Sequence, residues 1–164
     1  DVYSEKGKGS AFVVTVPLKT AKEDRRRTER TTYQEYDFSG KRVLLVEDNE
    51  INIEITRNIL IHKNFMVDIA ENGKAGVEQF LKHEPGYYDV ILMDIRMPVM
   101  DGLCATKEIR RLSRRDASGI PVIAMTADAF AEDITVAMQA GMNAHIAKPI
   151  EVQQLYRLID SFLA

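Results

Sequence analysis

Five side chains capable of phosphate chemistry stand at or just after the ends of short apolar runs. They are an acidic pair, a third acid, a hydroxyl and an ammonium group: Glu47, Asp48, Asp94, Thr126 and Lys148. Taken singly, each has an ordinary explanation, because acids and threonines cap helices and lysines cover surfaces. Their joint placement at the ends of successive runs favours one shared site.

The residue types indicate phosphoryl chemistry with a divalent metal. Three neighbouring carboxylates repel one another unless a cation balances them, and Mg²⁺ prefers oxygen ligands. A carboxylate such as Asp94 can also act as a nucleophile and form an aspartyl phosphate. Lys148 would supply a point charge for the phosphoryl oxygens, and Thr126 would hydrogen-bond the group once it is present.

The apolar runs predict the elements that position these groups. Short runs alternate with helical patterns, and the strongest runs are apolar throughout, which is typical of parallel strands covered on both faces. The runs are 43–46, 66–70, 90–93, 122–125 and the weaker 144–147. The pattern predicts an α/β fold with five strands and five helices, in which the strands' carboxyl ends share one edge of the sheet. Asn49 is placed to cap the first helix.

Composition limits the classes of partner. The chain has 164 residues, 45% of them hydrophobic, with a formal net charge of −3 and a single cysteine, Cys104. A net negative charge argues against nucleic acid as the partner. No apolar run approaches the roughly 20 residues that a membrane helix needs, so we expect no membrane contact from this segment.

Four motifs resemble the receiver domain of two-component response regulators. The motifs are Val46-Glu47-Asp48-Asn49, the segment that starts Met93-Asp94-Ile95-Arg96-Met97-Pro98, Met125-Thr126-Ala127 and Ala147-Lys148-Pro149. The resemblance runs from about Lys41 to Ala164. It implies a flavodoxin-like, doubly wound parallel sheet of strand order 2-1-3-4-5. It also implies a cis bond between Lys148 and Pro149, and a tight turn at Gly102.

The resemblance implies a role for each site residue. Asp94 is expected to be the phosphoacceptor, with Lys148 and Thr126 as its catalytic partners. Mg²⁺, for which Mn²⁺ could substitute, would be held by Glu47, Asp48, Asp94 and the backbone carbonyl of Arg96. The phosphoryl group would contact Thr126, the amide of Ala127 and Lys148. Thr126 and His145 would form the conformational switch, and Arg96 and Asp128 would tune the phosphoryl lifetime.

The amino-terminal segment favours a hybrid parent protein. Residues 1–19 resemble the end of a histidine-kinase ATP-binding domain, and the alternation of Phe12, Val14 and Val16 predicts a strand there. Residues 20–39 are predicted to be a mobile, charged linker. Residues 40–164 are the predicted receiver domain. The expected partners are the phosphohistidine donor domain of the parent kinase and a downstream histidine phosphotransfer protein. The expected location is the cytoplasm, including the cytoplasmic side of a membrane-anchored parent.

Three functional hypotheses remain open from the sequence. The first is phosphotransfer from one histidine to Asp94 and onward to another. The second is a degenerate receiver that only binds a partner, through the face of the fourth helix, fifth strand and fifth helix that carries Phe130, Ala131, Ile134 and His145. The third is a phosphatase of the haloacid dehalogenase type, against which Arg96 stands where that family carries a second aspartate.

Overall fold

The computed structural model describes residues 2–5, 7–15, 35–127 and 131–163. The chain divides into two compact units, Asp1–Gln34 and Glu35–Ala164. Residues 20–34 of the predicted linker lie outside the described residues. The mobility of the linker therefore stays a prediction. Asp128 and Phe130 lie outside the described residues as well.

The first unit contains a two-stranded antiparallel hairpin. Strand β1, Val2–Glu5, pairs with β2, Gly9–Phe12, and Val2 lies opposite Phe12 at the open end. Of the predicted strand from Phe12 to Val16, Phe12 is the last residue of β2, and Val16 lies outside the described residues. The described ladder ends at Phe12 because its partner β1 supplies only four residues, and residues 13–15 lie outside the strand.

The second unit is built on one five-stranded parallel sheet. Its order is β4-β3-β5-β6-β7, which is the expected 2-1-3-4-5 when strands are counted from residue 42. The strands are β3 Arg42–Val46, β4 Met66–Ala70, β5 Val90–Asp94, β6 Val122–Thr126 and β7 Ala144–Ala147. The helices are α1 Glu50–Ile61, α2 Gly73–Lys82, α3 Gly102–Arg111, α4 Ala131–Gln139 and α5 Val152–Leu163.

Alternation of side chains along each strand explains why the runs are apolar throughout. On one face, Leu44 and Met93 join a buried cluster that includes residues of α2, α3 and α4. On the other face, Leu45 and Leu92 join a second cluster with residues of α1 and α5. Strands β3, β5 and β6 therefore have no solvated side, as expected for a parallel sheet covered by helices, whereas the edge strand β4 is more exposed. The predicted fold class is confirmed.

Local signals fix where the first and last helices begin and which faces they bury. The Asn49 side chain accepts hydrogen bonds from the backbone N–H groups of Ile51 and Asn52, at 3.0 and 3.1 Å, and so caps α1 as predicted. Helix α5 buries Leu155 and Ile159 on one face, in agreement with the 3.6-residue spacing of its apolar residues. No helix within the described ranges is long and apolar enough to cross a membrane.

Residues 35–39, which the sequence assigned to the linker, belong to the second unit. The rings of Tyr36 and Phe38 are buried, and Phe38 stacks on Phe65 with ring centroids 4.4 Å apart. Tyr36 lies 5.8 Å from the ring of Tyr156 on α5. The backbone N–H of Phe38 also donates to the carbonyl of Lys63 at 2.9 Å. These two aromatic residues therefore extend the hydrophobic core beyond the predicted boundary at residue 40.

We expect Phe38→Ala to lower the free energy of unfolding by about 3 kcal/mol, because it leaves a cavity against Phe65 and Tyr156. Urea denaturation measures the change. Phe12→Ala is the matched control, since that ring is 75% exposed in the hairpin, and it should change stability by no more than about 0.5 kcal/mol. Equal midpoints for Phe38→Ala and the wild type would show that the segment adds nothing to the folded unit.

Candidate functional site

The carboxyl ends of four strands bring the predicted residues to one edge of the sheet. Glu47 and Asp48 directly follow β3, and Asp94 is the last residue of β5. Thr126 is the last residue of β6, and Lys148 directly follows β7. Ladder pairing between neighbouring strands fixes these ends relative to one another. The five residues, which are far apart in sequence, thus occupy a single edge, as expected for an open α/β sheet.

The Lys148 ammonium group links two of the acids. Its Nζ lies 2.6 Å from Oε2 of Glu47 and 2.8 Å from Oδ2 of Asp94. Glu47 is almost fully buried, with 1% of its side chain exposed, whereas the Lys148 side chain is 18% exposed. The backbone N–H of Lys148 also donates to the carbonyl of Thr126 at 2.8 Å. The expected cis bond between Lys148 and Pro149 is present.

The pKa values of Asp94 and Lys148 are both raised above their usual ranges. Burial raises the pKa of Asp94 above its usual range, and the hydrogen bond and charge of Lys148 offset only part of that rise. Burial alone would lower the pKa of Lys148, but its hydrogen bonds with Asp94 and Glu47 outweigh this and raise it. Lys148 is therefore firmly cationic.

The acidic groups form a candidate cation site. Glu47, Asp48 and Asp94 each offer one carboxylate oxygen, and these three atoms lie within 4.8 Å of one another. With Lys148 paired to two of them, the ionised cluster carries two formal negative charges in excess. An all-oxygen ligand set of this charge suits a hard divalent cation such as Mg²⁺.

The remaining predicted residues surround this centre at different depths. Thr126 is buried, whereas Ala127, the next residue, is exposed. The Arg96 side chain is exposed, and its backbone N–H lies 3.4 Å from Oδ1 of Asp94. His145 is half-buried on β7, where it pairs with Ala124 of β6. Asp128 is the one predicted site residue outside the described part of the chain.

Gly102 is required by a close approach rather than by a turn conformation. It is the first residue of α3, and its φ is not in the left-handed region. A Cβ atom built there would meet the backbone carbonyl oxygen of Asp94 and lie 2.8 Å from Cγ of Met93. The expectation of a tight turn is corrected: the glycine lets the start of α3 pack directly against the end of β5.

Sequence reasoning missed Asn52, which contacts the site from α1. Its Nδ2 donates to Oε1 of Glu47 at 2.9 Å. The sequence signal that could have found it is its position three residues after the cap Asn49, which places it in the first turn of α1, near the end of β3. A polar residue there is usually attributed to helix capping, so the sequence alone did not single it out.

The comparisons with known proteins agree with this geometry. The family model described as "Response regulator receiver domain" matches residues 43–160. The chain belongs to this family. Among curated relatives, the Escherichia coli aerobic respiration control sensor protein ArcB is 35% identical over 162 residues, which is 98% of this chain and 20% of ArcB. The chain thus spans about a fifth of that relative's length.

Solved structures resemble the receiver unit closely. The receiver domain of sensor histidine kinase PA1611 from Pseudomonas aeruginosa PAO1 is 36% identical in sequence and matches with a TM-score of 0.69. The match covers 76% of this chain and 98% of that chain. Its crystal structure has a magnesium ion coordinated in the active-site cleft.

A second structure concerns phosphotransfer. A co-crystal of the Saccharomyces cerevisiae histidine phosphotransfer signaling protein Ypd1 with the receiver domain of its downstream response regulator Ssk1 matches at 28% identity and a TM-score of 0.66. The match covers 74% of this chain and 88% of that chain. The family match assigns the chain to the receiver domains, so the phosphatase hypothesis is abandoned.

We expect Gly102→Ala to destabilise the receiver by about 2 kcal/mol, because the added Cβ forces α3 away from the Asp94 carbonyl. Thermal unfolding measures the change. Gly119→Ala is the matched control: a Cβ there meets nothing within 4 Å and φ is not left-handed, so its stability should be equal or slightly higher. An unfolding temperature for Gly102→Ala equal to that of Gly119→Ala would contradict the close approach.

Proposed function

We propose that Asp94 of this receiver accepts a phosphoryl group from a phosphohistidine and that the group is then passed to a second histidine or held as a signal. The observation that carries this proposal is the Lys148 ammonium group, which bridges the carboxylates of Asp94 and Glu47 at 2.8 and 2.6 Å. In the reaction, a bond forms between an oxygen of Asp94 and the phosphorus as the bond from phosphorus to the donor nitrogen breaks.

The acidic residues would hold the metal. Glu47, Asp48, Asp94 and the backbone carbonyl of Arg96 are the proposed Mg²⁺ site, with Asp48 as a direct ligand and Glu47 acting largely through water. When bound, Mg²⁺ neutralises charge on the phosphoryl oxygens. Support comes from the oxygen atoms within 4.8 Å of one another and from the magnesium ion in the related PA1611 receiver.

The remaining residues would bind and report the phosphoryl group. Lys148 offers its charge, Thr126 its hydroxyl and Ala127 its backbone N–H to the three phosphoryl oxygens. Thr126 and His145 are the proposed switch, and their strands β6 and β7 are neighbours in the sheet. The side chains of Arg96 and Asp128 are proposed to tune how long the aspartyl phosphate survives.

A docking surface for the histidine partner is proposed on α1. The apolar side chains of Ile51 and Ile55 are 69% and 53% exposed there. A shallow groove that includes Ile55, Lys148 and Pro149 runs from this helix to the site. An apolar groove beside the reacting groups suits a helical partner that must bring its histidine to Asp94. On the alternative face, formed by α4, β7 and α5, Ile134 and His145 are half-buried, and Phe130 lies outside the described residues.

The wider assignments belong to the same proposal. Residues 1–19 are proposed to end a histidine-kinase ATP-binding domain, supported by the alignment with ArcB over 162 residues. The parent would then be a hybrid kinase whose own phosphohistidine is the donor, with a cytoplasmic location for this segment. The binding-only alternative requires that Asp94 take up no phosphoryl group, which the next experiment tests directly.

We expect intact mass spectrometry to record a gain of one phosphoryl group after incubation with acetyl phosphate and Mg²⁺. The gain should disappear without Mg²⁺ and in Asp94→Asn, because the nucleophilic oxygen and its charge are then missing. Asp160→Asn, in the last turn of α5, is the matched control and should be modified like the wild type. No gain in the wild type under any condition would favour the binding-only receiver.

We expect Ile55→Ser to slow phosphoryl transfer from a histidine phosphotransfer protein about tenfold, as for loss of one apolar contact in an interface. Its phosphorylation by acetyl phosphate should be unchanged, because a small donor needs no docking surface. Leu81→Ser on α2, where the side chain is 51% exposed, is the matched control. Equal transfer rates for the two variants would remove α1 as the docking surface.

A further inference from the structure

Both carboxylate oxygens of Glu47 have a partner. Oε2 accepts from Lys148 Nζ at 2.6 Å, and Oε1 accepts from Asn52 Nδ2 at 2.9 Å. The carboxylate is 1% exposed, so water cannot easily replace a lost partner. The two donors arrive from opposite ends of the receiver sequence, one from α1 and the other from the loop after β7.

Asn52 does not serve its helix in the usual way for its position. It stands three residues after the cap Asn49, where a side chain commonly returns to the backbone N–H of the cap residue. Here the amide instead donates to Glu47. Only the nitrogen end of an amide can face a carboxylate favourably, so the acceptor also fixes which way the amide points.

We propose that Asn52 is a positioning residue for the metal and phosphoryl site, acting through Glu47. This inference rests on the proposed function. A lysine ammonium group is a point charge that attracts a carboxylate without fixing the plane of its oxygens. The second donor, from a planar amide on a capped helix, fixes that plane. Glu47 then keeps one orientation relative to Asp48 and Asp94.

The consequence concerns how the charges are shared. Lys148 contacts both Glu47 and Asp94, so a Glu47 carboxylate free to rotate would also change the position of the ammonium group against Asp94. Without Asn52, the three carboxylate oxygens would no longer be held ready for a cation. Groups that orient ligands from behind typically change metal affinity about 10–100-fold when they are removed.

Two other roles for Asn52 predict different results. If it were only a helical residue with no bond of consequence, Asn52→Ala would be neutral or stabilising, because alanine is the better helix former, and Mg²⁺ affinity would not change. If it only served docking, since it lines the groove with Ile55 and Pro149, phosphorylation by a small donor would not change. Mg²⁺ affinity in the absence of any partner separates positioning from both.

The experiment compares Asn52→Ala with Asn58→Ala, which alters an exposed asparagine on the same helix. Isothermal titration with Mg²⁺ should give a roughly tenfold weaker affinity for Asn52→Ala and an unchanged one for Asn58→Ala. The unfolding temperature of Asn52→Ala should fall, because the buried Oε1 of Glu47 loses its partner, whereas that of Asn58→Ala should not. Its rate of phosphorylation by acetyl phosphate should be low at limiting Mg²⁺ and recover towards the wild-type rate as Mg²⁺ is raised.

An NMR measurement adds a readout that does not involve the metal. The side-chain amide resonances of Asn52, assigned by their loss in Asn52→Ala, should move in Glu47→Ala because the carboxylate acceptor is removed. The amide resonances of Asn58 should stay in place. This measurement reports the hydrogen bond itself, even where a variant binds Mg²⁺ poorly.

The outcomes keep the inference separate from the proposed function. Unchanged Mg²⁺ affinity in Asn52→Ala, or Asn52 amide resonances that do not respond to Glu47→Ala, would overturn the inference while phosphorylation of Asp94 stands. A wild type that binds Mg²⁺ but takes up no phosphoryl group would end the proposed function, and the affinity and resonance data would still decide the role of Asn52. A wild type that does not bind Mg²⁺ would overturn both.

Discussion

The pairing of one lysine with two buried acids is the interaction on which this receiver depends. Burying Glu47 and Asp94 is costly unless their charges are paired, and Lys148 pairs with both, at 2.6 and 2.8 Å. The three residues come from the ends of β3, β5 and β7, so the pairing forms only when the sheet has its full order and register. The site and the fold are therefore specified together.

The apolar sheet supplies the rigidity that such a site needs. Strands β3, β5 and β6 are buried on both faces, with α2, α3 and α4 contributing to one cluster and α1 and α5 to the other. Close packing leaves little freedom at the strand ends, and Gly102 shows how closely the backbones approach. The acidic oxygens can thus stay within 4.8 Å of one another before any cation arrives.

Much of this arrangement could be predicted from the sequence, because parallel strands and their carboxyl ends have simple signals. The runs 43–46, 66–70, 90–93, 122–125 and 144–147 predicted all five strands of the receiver sheet. Contacts between distant segments gave no such signal. Tyr36 and Phe38 were assigned to the linker because their partners, Phe65 and Tyr156, lie far along the chain. The same holds for Asn52 and for the close approach at Gly102, which depend on tertiary distances rather than on local pattern.

The paired lysine also explains how a phosphoryl group could change this domain. Before the reaction, Lys148 divides its attraction between Glu47 and Asp94. A phosphoryl group on Asp94 adds negative charge and three acceptor oxygens, so the balance of that attraction must shift towards Asp94. The backbone N–H of Lys148 is bonded to the Thr126 carbonyl at 2.8 Å, which couples the loop after β7 to the end of β6. In the proposed function, a change in the partners of Lys148 would reach Thr126 through this bond, and would also reach β7, the strand that carries His145 and directly precedes Lys148.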